Sequence, residues 1–100
     1  MMIIGLDPGS ERSALVVLDV KFGSFGKKLS VARHLWDDND YIRTVLNNEL
    51  AMASDPPHVI IEDVRAYGGG VRGDTLETAR QIGRFQEVAE CHLRSLFVHL

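Results

Sequence analysis

The chain has few of the features that would staple it, anchor it or charge it strongly. One cysteine, Cys91, in 100 residues excludes an internal disulfide and fits a reducing compartment. Eleven Lys and Arg against fourteen Asp and Glu leave a net charge of -3 with the histidines neutral. A nucleic-acid role would therefore need a local basic cluster, since no global positive field exists. No apolar run approaches the roughly 20 residues that cross a bilayer, and Asp7 interrupts the one N-terminal stretch that could imitate a signal sequence. These absences point to a cytoplasmic protein with no membrane partner. What is present, 45% hydrophobic and 25% charged residues, describes one globular domain over residues 1–100 with a modest core.

Apolar periodicity gives the order of elements. Met2 to Leu6 is a continuous apolar run that ends on Asp7, followed at once by Pro8-Gly9-Ser10. Pro then Gly suits the centre of a type II turn. Ser13 to Val20 is apolar on both faces and reads as a strand covered on both sides. Phe22 to Gly26 supplies a turn. Lys28 to Trp36 alternates, with Leu29, Val31 and Leu35 assigned to one face and Ser30 and His34 to the other, as in a more exposed strand. Asp37-Asp38-Asn39-Asp40 is rich in capping types, and the apolar positions from Tyr41 to Ala53 recur at helical spacing. Asp55-Pro56-Pro57 ends that helix. His58 to Asp63 is a short β-branched strand. Arg65 to Gly73 holds four of the nine glycines. Asp74-Thr75-Leu76-Glu77 has capping-box spacing ahead of a helix whose apolar side is Leu76, Ala79, Ile82, Gly83, Ala89 and Leu93. Leu96 to Leu100 begins a last strand. An α/β fold follows: three strands in an antiparallel meander, then helix, strand, helix, strand, the crossovers giving parallel neighbours.

Two carboxylates stand out. Asp7 and Glu62 each close an apolar strand, and parallel neighbours would bring both to the sheet edge where open α/β sheets bind ligands. Together and uncompensated they repel, and one takes a proton. A divalent cation removes the repulsion, and hard oxygen donors suit Mg²⁺ or Mn²⁺. Taken singly, Asp7 reads better as a turn residue and Glu62 as a solvated strand end; their joint placement at two strand ends brings the metal-ligand reading level with that one.

IIGLDPGS with its following apolar strand, then VIIEDV leading into a glycine-rich loop and helix, resembles the RuvC-type Holliday-junction resolvases, above all their divergent phage-encoded relatives. The resemblance spans essentially the whole chain. It implies a ribonuclease-H-like fold and metal-dependent cleavage of phosphodiester bonds in branched DNA, in a bacterial or phage-infected cell. It implies further that Asp7 and Glu62 are catalytic metal ligands, that two Mg²⁺ or Mn²⁺ ions occupy the complete family site, and that the protein is a homodimer. The family carries its last acids on a helix after the fifth strand. This sequence ends at Leu100, so it is expected to lack that helix, and with it full activity.

Around these acids, Arg12, Arg65, Arg72, Arg80 and Arg84 are candidates for phosphate contacts, and Tyr67 for stacking on an exposed base. Each has a plainer reading. The loop from Arg65 to Gly73 could be an ordinary surface loop with Tyr67 over the core edge. Arg80 and Arg84 could form a solvated face with Glu87. Gly83 suggests close packing or a dimer contact, Cys91 a small buried hydrophobe, and Trp36 a cap on the core. Two other functions use the same residues: a non-catalytic junction-binding module of this fold, and a phosphate-binding ATPase lobe, for which the chain leaves little room.

Overall fold

The computed structural model describes residues 1–63 and 73–92 and the backbone of 96–99. The elements run β1 (Met2–Asp7), β2 (Arg12–Gly23), β3 (Gly26–Asp38), α1 (Asn39–Met52), β4 (His58–Ile61), α2 (Gly73–Cys91) and β5 (Leu96–His99). They build one five-stranded sheet in the order β3-β2-β1-β4-β5. β1 pairs antiparallel with β2, and β2 with β3, while β4 is parallel to both β1 and β5. This is the meander followed by two crossovers that the apolar runs predict.

Both helices pack on one face of the sheet. Ile4, Leu6, Leu15, Val17, Val59 and Ile61 point from the strands into a core completed by Ile42, Val45, Leu46 and Leu50 of α1 and Ile82, Phe85 and Ala89 of α2. Burying each of the Val, Leu, Ile and Phe side chains contributes about 1.5–3 kcal/mol before entropy is counted. The α1 start is set by Asp38, whose side chain accepts the Tyr41 N–H at 2.9 Å, a capping contact that satisfies an otherwise orphaned donor. Arg43 of α1 donates to Gln81 of α2 at 2.6 Å, and the nearly buried Gln81 in turn donates to Glu77 at 2.8 Å, so the polar groups between the helices are paired.

Several expectations change. β2 is not covered on both sides: among the described residues the helices take one face, and Ala14, Val16 and Leu18 lie half-buried on the other. A bulge between the partners of Val17 and Leu18 places Val17 opposite Arg33 and Leu18 opposite Val31, leaving Ala32 as the extra residue. The extra residue shifts the side-chain alternation. Leu29 and Val31 consequently share the open face with His34, while Leu35 turns to the helix side. The turn after Asp7 is not type II, because Gly26, at φ 106°, is the one described residue with a positive φ. Gly9 is needed for space instead: a Cβ there would stand 2.2 Å from the Arg12 carbonyl oxygen. On α2 the buried line is Ile82, Phe85 and Ala89, whereas Leu76, Ala79 and Gly83 are exposed. The space around Gly83 is open, and a Cβ at that position would meet nothing within 4 Å, so close packing does not explain it. Cys91 is exposed, and Trp36 is 64% exposed on the open face, not a cap on the core.

Candidate metal and nucleic-acid site

The parallel register of β1 and β4 sets Gly5 beside Ile60 and Leu6 beside Ile61. The Glu62 N–H continues the ladder, donating to the Leu6 carbonyl at 2.9 Å. Asp7 and Glu62 are thus the next pair in register. Alternation aims both side chains at the helix-free face, since Leu6 and Ile61 point into the core.

The two acids meet. A hydrogen bond with Asp7 is the largest cause raising the Glu62 carboxyl above its ordinary value of 4.5, followed by repulsion from the Asp7 charge and by slight desolvation. The physics is that of two carboxylates sharing a site, where one proton relieves the pair. Such a pair offers hard oxygen donors to a divalent cation, whose charge would replace that proton. Among the described residues no group of three or more His, Cys, Asp or Glu side chains is placed to hold a metal ion.

The turn behind Asp7 is held from below. Gly9 N–H donates to the Ser13 hydroxyl at 3.1 Å, Ser13 donates to the Asn39 side-chain oxygen, and the Asn39 amide donates to the Gly9 carbonyl at 3.0 Å. The Asn39 backbone N–H takes the Glu11 carbonyl at 3.1 Å. Ser13 and Asn39 are both buried. The sequence marks Asn39 as a capping type only, and its grip on a turn thirty residues away has no local signal.

In front of the carboxylates lies an open concavity of about 580 Å³, with Gly5, Ala14, Val16, Ile60 and His34 among its lining residues beside Asp7, Glu62 and Asp63. His34, which lacks a partner at metal-ligand spacing in the sequence, reaches this site because β3 lies two strands from β1. Arg12, two residues before Ala14 on β2, holds its guanidinium 4.7 Å from the centre of the Trp36 ring. A cation over an indole is held at little cost to its charge.

The other basic candidates fall elsewhere. Arg80 is exposed and paired with Glu77 at 3.3 Å, not with Glu87, and Arg84 is exposed. Both belong to α2, on the opposite side of the sheet from the concavity. Arg65, Tyr67 and Arg72 lie outside the described residues. No helix among the described residues is long and apolar enough to cross a membrane.

No family model and no curated protein matches the sequence. Solved structures do. Thermus thermophilus RuvC in complex with a Holliday junction substrate is similar at a TM-score of 0.74 and 14% identity, over 100% of this chain and 66% of that one. Thermus thermophilus RuvC in a second structure is similar at a TM-score of 0.65 and 15% identity, over 99% of this chain and 64% of that one. The chain spans slightly less than two thirds of the length of these proteins. The likeness establishes the fold: this is the mixed, ribonuclease-H-like α/β architecture of RuvC.

Proposed function

We propose that the protein is a metal-dependent endonuclease acting on branched DNA, with Asp7 and Glu62 as its metal-binding catalytic acids. The observation that carries this reading is the carboxylate pair itself, next in register at the ends of parallel β1 and β4 and lining one open concavity. The fold it shares with a protein solved on a Holliday junction supports branched DNA as the substrate class.

The donor set fits Mg²⁺ or Mn²⁺, since two closely set carboxylates gain most from a small, hard, doubly charged ion. When bound, such ions supply water activation and stabilisation of the leaving oxygen in phosphodiester hydrolysis. The chain's own residues do the rest. Asp7 and Glu62 would supply the oxygen ligands and fix their positions. The Ser13–Asn39 contacts keep the turn after Asp7 from shifting. Arg12, parked on Trp36, offers a cation to a phosphate, and His34 faces the concavity from β3.

A second reading, a junction-binding module that does not cleave, is favoured by the grouping of only two metal-ligating side chains among the described residues. Incubation with a labelled four-way junction and with linear duplex, in Mg²⁺, Mn²⁺ or Ca²⁺, separates the two. Nicks in Mg²⁺ or Mn²⁺ that vanish in Asp7→Asn and Glu62→Gln mark a nuclease. Junction-selective binding without nicks marks the module. Absence of both overturns the DNA assignment.

A further inference from the structure

Val20 to Trp36 is the longest stretch of the sequence without an Asp or Glu, and it holds four of the eleven Lys and Arg residues. In a chain of net charge -3, this is the local basic cluster that a nucleic-acid role requires. The fold gathers three of the four. β2 and β3 stay paired as far as Gly23 opposite Gly26. β1 accompanies β2 only as far as Met1, which exchanges hydrogen bonds with Val20 at 2.8 and 2.9 Å. Past that contact, among the described residues, the two strands run on as a ribbon with neither face covered. Lys21, Lys27 and Lys28 stand on it, and every residue from Lys21 to Lys28 is exposed.

Two contacts define how this charge is held. Lys21 lies directly opposite Lys28 in the ladder, so two ammonium groups share one face, an arrangement that destabilises a strand pair. Asp19 relieves it only in part, at 3.9 Å from a Lys21 side chain that is 74% exposed. On the other face Lys27 lies over the ring of its ladder partner Phe22, 5.6 Å from the centroid. The ring steadies the ammonium without neutralising it.

We propose that this ribbon tip is a docking element for duplex DNA, entering the major groove of one arm of a branched substrate. That groove is about 12 Å wide and admits a two-stranded β-ribbon. Its walls are two rows of phosphates, and the tip presents cations on both faces, Lys27 on one and the Lys21–Lys28 pair on the other. A phosphate between Lys21 and Lys28 turns their repulsion into a shared attraction and releases counterions from the DNA. Phe25, wholly exposed at the turn, meets sugar and base edges. A flat anionic lipid surface, by contrast, meets one side of a ribbon and leaves the cations of the other side without a partner. With the lysines on phosphates, the tip from Lys21 to Lys28 has no Arg, Asn or Gln for base edges, so it positions DNA without reading sequence.

The distance to the carboxylates sets the length of arm required. Asp7 is in register with Ala14, and Lys21 follows Ala14 by seven residues on β2. At about 3.3 Å per residue, the lysines lie roughly 25 Å from the Asp7–Glu62 end of the sheet. A duplex arm covers that distance in about seven base pairs, at about 3.4 Å each. The ribbon is thus a second anchor outside the carboxylate site; the choice of branched DNA as its partner rests on the proposed nuclease function.

The test is fluorescence anisotropy of labelled four-way junctions with the full chain in Ca²⁺, with arms of about five or about twenty base pairs. The parent is expected to bind the long-armed junction at least about tenfold more tightly. In the variant Lys21→Gln, Lys27→Gln, Lys28→Gln that advantage should be lost, while affinity for the short-armed junction stays within about twofold. The slope of log K against log salt on the long-armed junction should fall by about 2–3. The variant's Tm should stay within about 3 °C of the parent's, since all three side chains are exposed. Asp7→Asn should keep the arm-length dependence. Lysine-dependent binding without nicking in Mg²⁺ or Mn²⁺ upholds the ribbon contact and removes the nuclease reading. The same arm-length dependence in parent and variant overturns the ribbon contact and leaves the nuclease reading in place. A parent that binds neither junction overturns both. Lysine-dependent sedimentation with phosphatidylserine vesicles, beside junction binding that ignores the lysines, makes the tip a membrane element and overturns the proposal.

Discussion

The hydroxyl of Ser13 donates to the side-chain oxygen of Asn39, twenty-six residues away, and through that contact the first helix grips the turn that follows Asp7. Ser13 is 1% and Asn39 6% exposed, so neither has water to fall back on. Asn39→Ala would leave the Gly9 carbonyl without its donor and Ser13 without its acceptor. The expected cost is about 2 kcal/mol, seen as a fall in Tm of roughly 10 °C. A thermal melt checks it, and Asn39→Asp, which keeps the acceptor but loses the donor, should fall in between.

The raised Glu62 carboxyl, set beside Asp7, makes stability depend on pH in a defined direction. Glu62 has a folded-state pKa above its ordinary value of 4.5, so the folded state binds its proton more tightly than the unfolded chain does. Its contribution is fully present below the ordinary value and is lost as pH rises through the raised one. In metal-free buffer, stability should therefore decline across that window. Asp7→Asn removes the repelling charge, and in that variant the decline should flatten. Denaturant melts at a series of pH values follow it.

Divalent cations should act on the same window from the other side. Once both carboxylates are ionised, Mn²⁺ or Mg²⁺ is expected to raise Tm at neutral pH and to do so little at pH 4, where the proton competes for the same oxygens. Differential scanning calorimetry with and without the ion gives the comparison.

Gly83 sits mid-helix, exposed, with open space where a Cβ would go. Gly83→Ala should stabilise the protein by about 1 kcal/mol through helix propensity and reduced freedom of the unfolded chain. Urea unfolding would show it as a higher midpoint at unchanged slope.

How much of this is legible in the sequence differs from element to element. The apolar runs ending on Asp7 and at Ile61 disclose β1 and β4, because buried strands need little but continuous apolar side chains. The same runs place both acids at the strand ends, and the crossover rule makes those ends neighbours. Asp38 is legible as a capping type because capping is local. The bulge at Ala32 is not, since one unpaired residue leaves no periodic trace, and simple alternation puts Leu29 and Val31 on the face of Leu35 for that reason. The Ser13–Asn39 contact depends on tertiary proximity. Trp36 and Cys91 read as inward because aromatic and thiol side chains usually are buried, yet Trp36 lies under Arg12 on the open face and Cys91 on an exposed helix end. His34 looks isolated in sequence and becomes a lining residue only when β2 folds β3 back towards the carboxylates.

The central claim is that the Asp7–Glu62 pair is a divalent-cation site, and its most direct test is a titration of the chain with Mn²⁺ at neutral pH, followed by electron paramagnetic resonance of the free ion. Saturable binding that is weakened at least about tenfold in both Asp7→Asn and Glu62→Gln is the predicted result. Binding that both variants leave unchanged, or no binding at millimolar Mn²⁺, would contradict the account.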